Sequence, residues 1–593
     1  IAVGIEGAQG GVGADVEVKA DGSVSTVGNK AHGVFAQSVG GGGGNGGSAG
    51  VGLIGAPTVG VAIGGNGGSG GTSGAVDVNA TASIVTAGDK SYAILAQSIG
   101  GGGGTGGLAR RAGVKDVAQS VTVLVGGKGG SGNTSSNVFA SSSGLLVTTG
   151  EEAHGIVAQS IGGGGGEGGS TFIFEGALGL PPESATNRLS VALGGDGGTG
   201  NTSGDVAVTN TGAIGTESSG AVGILAQSVG GGGGHAGSTY KLSIQPGAEG
   251  SASNDVSFSM GGTGGTGAAA GDVTVNNRVD TAGIAQSGLI TTIGSSAHAI
   301  VAMSIGGGGG HGGMSTSVIA GLRTSAENPP MQANLNLGGA GGTGGTAGNV
   351  TVINEGAITT YGDEAHGINA LSVGGGGGDG GMATSVDLRN NVFPFNLNSK
   401  IGGSGGSGNT GGDVVVTNAE GAAIAVYGDR SVGIKAQSVG GGGGNAGFAL
   451  GLAGSIKGNV VGSPVTEVGS SLIKMGVGGK GGAGGDAGNV TVNNHGDILV
   501  AGKDGYGIYG QSVGGGGGKV SGRLPNLVSS ILWATEYVVE LLAGGDLDGD
   551  IANDGEAGSV TVNNTGDIYL VGDNSRAIFH QAVSGGGGDI DLL

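Results

Sequence analysis

A segment of alternating residues that runs into five glycines recurs from one end of this chain to the other. It reads HGVFAQSVGGGGGNGG from His32, YAILAQSIGGGGGTGG from Tyr92 and HGIVAQSIGGGGGEGG from His154. Further copies start at Val222, His298, His366, Val432 and Tyr506, and an altered one starts at Arg576. Successive serines of the first eight copies, from Ser38 to Ser512, lie 60 to 76 residues apart. Self-similarity on that scale marks a stacked array of one supersecondary unit. It overrides the several-domain prior of a 593-residue chain, so residues 1–593 are read as one continuous repeat solenoid.

Comparing the copies shows which positions face inward. The place of Ile156 is always Val or Ile, and that of Ala158 is small in every copy but the last, where it is His580. The alternate place of Val157 accepts Phe35, Leu95, Asn369, Lys435 and Tyr509. One strict and one permissive face at period two describe a half-buried β-strand. Upstream blocks such as GNVTVINEGAITTYGDEAHGI from Gly348 read as short strands joined by Asn-x-Gly and Gly-Asp turns. A second glycine run, as in LNLGGAGGTGGTAG from Leu335, again follows an apolar strand. The expectation is an all-β fold, a parallel β-solenoid with about two turns per repeat and its glycine runs stacked. That gives roughly 17–18 turns and a rod of about 80–90 Å. Glycine would be needed where backbones approach too closely for a Cβ.

Composition narrows the classes. Glycine supplies 155 residues without the every-third-residue spacing of collagen, and the nine prolines all fall between the five-glycine run and the next apolar-glycine block. Hydrophobic residues at 36% against 11% charged ones oppose disorder. A net charge of −21 repels phosphate backbones, which argues against nucleic acid as a partner. With no cysteine there is no disulfide framework, and no stretch has the length and purity of a membrane-spanning helix.

The recurring unit, ending in His-Gly-Ile-x-Ala-Gln-Ser-Val and five glycines, resembles the glycine-rich repeats of large proteobacterial autotransporter passengers over nearly the whole chain. The resemblance implies type V secretion, a β-helical passenger displayed at the surface of a Gram-negative bacterium, and an outer-membrane barrel outside this sequence. On that reading the chain is a piece of something longer. The runs GGNGGSGGTSG and GGAGGTGGTAG also look like mycobacterial glycine-rich repeat proteins and phage adhesins, whose glycines pack as polyglycine II helices. Whether the runs are solenoid corners or polyglycine II helices stays open from the sequence.

Residues that could carry chemistry are read mostly as scaffold. The corner place of His32, His154 and His366 is Tyr92, Val222 or Arg576 elsewhere, so packing is favoured over catalysis or metal ligation. Asp205, Asp272 and Asp413 exchange with Asn349 and Asn489, which suits a turn and not a general acid or base. Gln37, Gln97, Gln159, Gln227, Gln437 and Gln511 could form an amide ladder, but with two turns per repeat they would sit about 9–10 Å apart, so packing is expected instead. In DLDGDIANDGE, Asp546, Asp548 and Asp550 are a candidate calcium site, although the spacing departs from an EF-hand loop. No other cofactor and no catalytic residue is assigned. A polysaccharide-active β-helix enzyme would need a fixed carboxylate pair and aromatic platforms, which the copies do not show.

Segments 170–190, 314–334, 382–398 and 448–474 vary most and read as insertions projecting from one side. Phe172, Phe174, Phe393, Phe395 and Phe448 in them are the candidate binding residues. Residues 526–542, NLVSSILWATEYVVELL, carry apolar side chains at helical spacing and predict one inserted α-helix with Trp533 partly buried. The expected role is a rigid cell-surface stalk that adheres to other cells, matrix or surfaces through its insertions. The alternative is an extracellular filament or matrix subunit that associates end to end.

Overall fold

The computed structural model describes the chain except residues 54–57, 114–118, 177–185, 246–252, 281–286, 322–330, 390–394, 456–470, 522–536, 544–553, 589 and 592–593. Every described element is a β-strand, and the strands build five long parallel sheets, numbered here by their order within a repeat, and one short parallel pair, Val520–Ser521 with Ile590–Asp591. In the repeat containing Ile156 they are Gln119–Val125 (sheet 1), Val138–Ser142 (sheet 2), Leu146–Thr148 (sheet 3), Ile156–Ile161 (sheet 4) and Thr171–Gly176 (sheet 5). The first glycine run lies between sheets 1 and 2, and the second, with its five consecutive glycines, between sheets 4 and 5.

Each strand pairs with its counterpart one full repeat away: Ile156 stacks between Ile94 and Ile224, and Val138 between Val76 and Val206. The sequence therefore makes one turn per repeat, not two. Sheets 1 to 4 each have nine strands, so at about 4.8 Å per rung the rod is roughly 40 Å long, half the length expected. The two apolar-then-glycine segments that looked like equivalent turns are opposite sides of a single turn, and they run antiparallel to each other.

Sheets 2, 3 and 4 close into a triangular prism. Its interior repeats similar small and branched apolar side chains from rung to rung, among them Val206, Val208, Ile214, Ile224 and Ala226, each at most 2% exposed. Ile156 and Ala158 lie inside at 0%, as the strict face predicts. A residue with φ near +55° turns the chain between sheets 3 and 4, for example Glu152, Glu364 and Arg430. The adjacent threonine closes that corner, Thr216 Oγ1 donating to the Ala221 carbonyl at 2.6 Å. At the corner between sheets 2 and 3 a column of buried asparagines runs along the axis. Asn210 Nδ2 donates to Asn277 Oδ1, Asn277 to Asn354, Asn354 to Asn418 and Asn418 to Asn494, all at 2.8–2.9 Å.

The two glycine runs form a slab beside the prism, and their hydrogen bonds repeat every third residue. Gly100, Gly103 and Gly106 donate upward to Ile161, Gly164 and Glu167, while Gly101, Gly104 and Gly107 donate sideways to Gly71, Gly68 and Gly65. The third residue of each triplet, such as Gly102 or Thr105, faces outward. Three residues per turn with all hydrogen bonds between runs is polyglycine II packing, which settles the alternative left open above. Glycine is required for space and not for φ: among the described glycines only Gly22, Gly220, Gly288 and Gly421 have positive φ, and none lies in the runs.

Beyond the slab, sheets 5 and 1 face each other as a two-sheet lobe. Much of what the sequence presented as insertions is in fact these strands, for example Thr171–Gly176 with Thr186–Leu193 and Ala383–Arg389 with Phe395–Ile401. They were misread because their sequences vary: a two-sheet lobe with partly polar contents constrains side chains less than the prism does. The inserted helix is likewise corrected. Tyr537–Ala543 is a strand of sheet 1, in register with Ser471–Val477. Pairing along the edge of that sheet gives the segment a ladder of backbone hydrogen bonds to Ser471–Val477, and its β-branched residues suit a strand. The rest of the expected helix, with Trp533, lies outside the described residues.

Candidate binding face and the ladders of the scaffold

Sheet 5 turns one face toward sheet 1 and the other outward. The outward row reads Gly50, Arg110, Phe172, Tyr240, Thr316, Thr384 and Leu450 in successive rungs. Phe172 and Tyr240 are 41% and 37% exposed, neighbours on a rigid sheet beside Arg110. Phe174 lies on the same face at the next outward position and is half-buried. Phe448 immediately precedes the strand Ala449–Ser455 and is half-buried in the same outward row as Met382 and Met314, its carbonyl accepting from the Ala383 amide at 3.0 Å. Phe172, Phe174 and Phe448 thus share one face, with Phe448 four rungs, about 19 Å, from Phe172. Phe395 begins a strand of sheet 1, and Phe393 lies outside the described residues.

Sheet 4, across the glycine slab from that face, carries side-chain ladders that span successive rungs. Gln37 Nε2 donates to Gln97 at 2.9 Å, Gln97 to Gln159 at 2.6 Å and Gln159 to Gln227 at 2.5 Å. The amide ladder rejected on spacing grounds therefore exists, because one turn per repeat brings the amides within reach. It stops where Met303 and Leu371 replace glutamine and resumes from Gln437 to Gln511 at 2.7 Å. The strict serine has a separate task. Ser228 Oγ donates to the Gly204 carbonyl of its own rung and accepts from the Gly271 amide of the next, both at 2.9 Å. It ties the end of sheet 4 to the start of sheet 2 where the glycine slab begins.

Exchange of Asp for Asn has the same kind of explanation. Asp205 Oδ1 accepts from the Asp272 amide, Asp272 Oδ1 from the Asn349 amide and Asn349 Oδ1 from the Asp413 amide, at 2.7–2.9 Å. Either side chain supplies the acceptor oxygen, so neither a turn alone nor acid–base chemistry accounts for the position.

The corner histidines stack. The His298 and His366 ring centroids are 4.7 Å apart, and Tyr92 stacks on His154 at 4.9 Å. Each Nδ1 accepts a backbone N–H of the next rung: His154 from Val222, His298 from His366 and His366 from Val432. Such an acceptor must be the neutral imidazole. Burial lowers their pKa, to about 4 for His154 and His298 and about 3 for His366, where His298 and Lys435 add to the effect.

Among the described residues no cluster of three or more His, Asp or Glu side chains is arranged to hold a metal ion. Asp546, Asp548 and Asp550 lie outside them. No described helix is long and apolar enough to cross a membrane, which says nothing of membrane-spanning strands. Comparison with protein-family models, with curated proteins and with solved structures finds no match for this chain.

Proposed function

We propose that the protein is a secreted, cell-surface structural passenger: a stiff stalk whose outer sheet 5 face makes adhesive contact with other cells, matrix or surfaces. The observation that carries this reading is the continuity of the scaffold. Sheets 1 to 4 and the polyglycine slab join rung to rung along the rod, and sheet 5 runs unbroken over seven rungs, so side chains on those seven strands are presented at fixed spacing. Aromatic residues in a firm, partly exposed setting are the usual anchors of protein contacts. The autotransporter-like repeat supports display outside the cell.

The test pairs microscopy with adherence. Purified chain is expected to appear as separate short rods, and Phe172→Ser with Tyr240→Ser to reduce attachment to cells or matrix at least tenfold while the rods persist. Unchanged attachment would remove sheet 5 from the function. Continuous fibres in place of rods would favour the filament reading, in which end-to-end association is the activity.

A further inference from the structure

The space between sheets 5 and 1 changes character along the rod. Near its start it is apolar, with Ala49, Ala62, Ala109 and Leu124. Charge follows. Arg111 Nη1 lies 3.2 Å from Glu175 Oε1, and Lys241 Nζ lies 3.1 Å from Asp255 and 3.9 Å from Glu175. All four residues are at most 6% exposed. Two rungs beyond Lys241, Ser385 and Asn398 close the gap directly: Asn398 Nδ2 donates to Ser385 Oγ at 2.9 Å, and that hydroxyl lies 3.1 Å from Asn398 Oδ1.

The rung between them behaves differently. Ser317 stacks between Lys241 and Ser385, and Asn334 between Ser257 and Asn398. Ser317 therefore stands opposite Asn334 as Ser385 stands opposite Asn398, yet no hydrogen bond joins them. Gln332, stacked on Asp255, turns inward beside them. Ser317 and Gln332 are 0% exposed and Asn334 is 2% exposed. Among the described residues, Ser317 Oγ and both amide atoms of Gln332 and of Asn334 have no partner, and the same holds for Ser243 Oγ and Ser257 Oγ one rung below. Polar atoms sealed from solvent are costly unless bonded, and folded interiors satisfy nearly all of them with protein groups or ordered water.

We propose that the space bounded by Ser317, Gln332 and Asn334, with Ser243 and Ser257, is an internal hydration site holding a short row of ordered waters. The chemistry of the group selects the guest. Hydroxyls and amides present donors and acceptors together with no net charge, a mixture that suits water better than an ion of either sign. A buried water makes about three hydrogen bonds, so seven orphaned atoms call for about two or three waters. The site lies between the Lys241–Asp255 pair and the buried Asp387 and Lys400 of the following rung, so its waters also solvate the inner ends of both charged groups.

A crystal structure of the intact chain tests this. Two or more waters are expected within about 3.2 Å of the Gln332 and Asn334 amides and the Ser317 hydroxyl, and none between Ser385 and Asn398. A direct Ser317–Asn334 or Gln332–Asn334 bond with no water present would overturn the proposal. The second measurement needs no crystal. In chain labelled with nitrogen-15 at Asn and Gln side chains, the Gln332 amide, assigned by its loss in Gln332→Leu, is expected to show cross-relaxation with long-lived water. Its absence would also overturn the proposal.

Discussion

An ideal Cβ at Gly104 would lie 2.0 Å from the Gly44 carbonyl oxygen, whereas one at Gly102 would meet only the Gly164 oxygen at 3.6 Å. Both belong to the same five-glycine run, so the sequence treats them alike and the slab does not. At Gly104 the obstacle is backbone, hydrogen-bonded on every side, and cannot swing away as a flexible side chain could. Gly104→Ala is expected to destabilise by about 1–3 kcal/mol or more, the range of overpacking. Gly102→Ala places its methyl in solvent at a backbone conformation open to any residue, and is expected to stay within about 0.5 kcal/mol of the parent. Urea midpoints of the two variants measured side by side check this. Equal losses would mean that the run is glycine for a reason other than close packing of backbones.

At the scale of one element, the corner column of His154, His298 and His366 makes stability depend on pH in a definite direction. Their folded-state pKa values, about 4, 4 and 3, lie below the ordinary histidine value near 6.5. Above that value both folded and unfolded chains hold neutral rings, and the stability is fully present. As pH falls from about 6.5 toward 4 the unfolded chain takes up protons that the folded one refuses, so stability is lost. Each ring costs up to about 1.4 kcal/mol per pH unit. Glu152 and Glu364 near the rings oppose the shift, while Lys435 strengthens it. His366→Tyr, a residue already used in this column at Tyr92, is expected to give a shallower fall in urea midpoint between pH 6.5 and 4.5. A slope equal to that of the parent would show that the His366 ring does not titrate on unfolding. The column also marks how far the sequence could be read. The prism was legible because Ile156 and Ala158 recur at period two against one unvarying core. The Gln and Asn ladders were not, since they depend on one turn per repeat, a number that two similar-looking glycine runs concealed. Phe172 and Phe174 were recognised as members of the variable segments, but Thr171–Gly176 was taken for an insertion because no repeated apolar pattern marks sheet 5.

Across the whole molecule, two lobes of different interior are joined by a slab that is almost entirely backbone. The prism buries Val, Ile and Ala at every rung, so each rung adds apolar burial worth roughly 25 cal/mol per Å². The two-sheet lobe buries Arg111, Glu175, Lys241 and Asp255 among serines and amides, and buried ion pairs roughly break even against their desolvation. In a repeat array each rung depends mainly on its neighbours, so the lobes can open by separate local events. Protection from amide hydrogen exchange is therefore expected to differ between strands of the same rung. Ile224–Val229 in sheet 4 should exchange at least tenfold more slowly than Thr239–Gln245 in sheet 5, a difference of about 1.4 kcal/mol in opening free energy. The slab should follow the prism, because Gly231 and Gly234 each donate to a glycine run of the same stack. Exchange mass spectrometry on the intact chain resolves these peptides. Equal protection in both strands would mean that each rung opens as a single unit and that the slab couples the polar lobe to the apolar one.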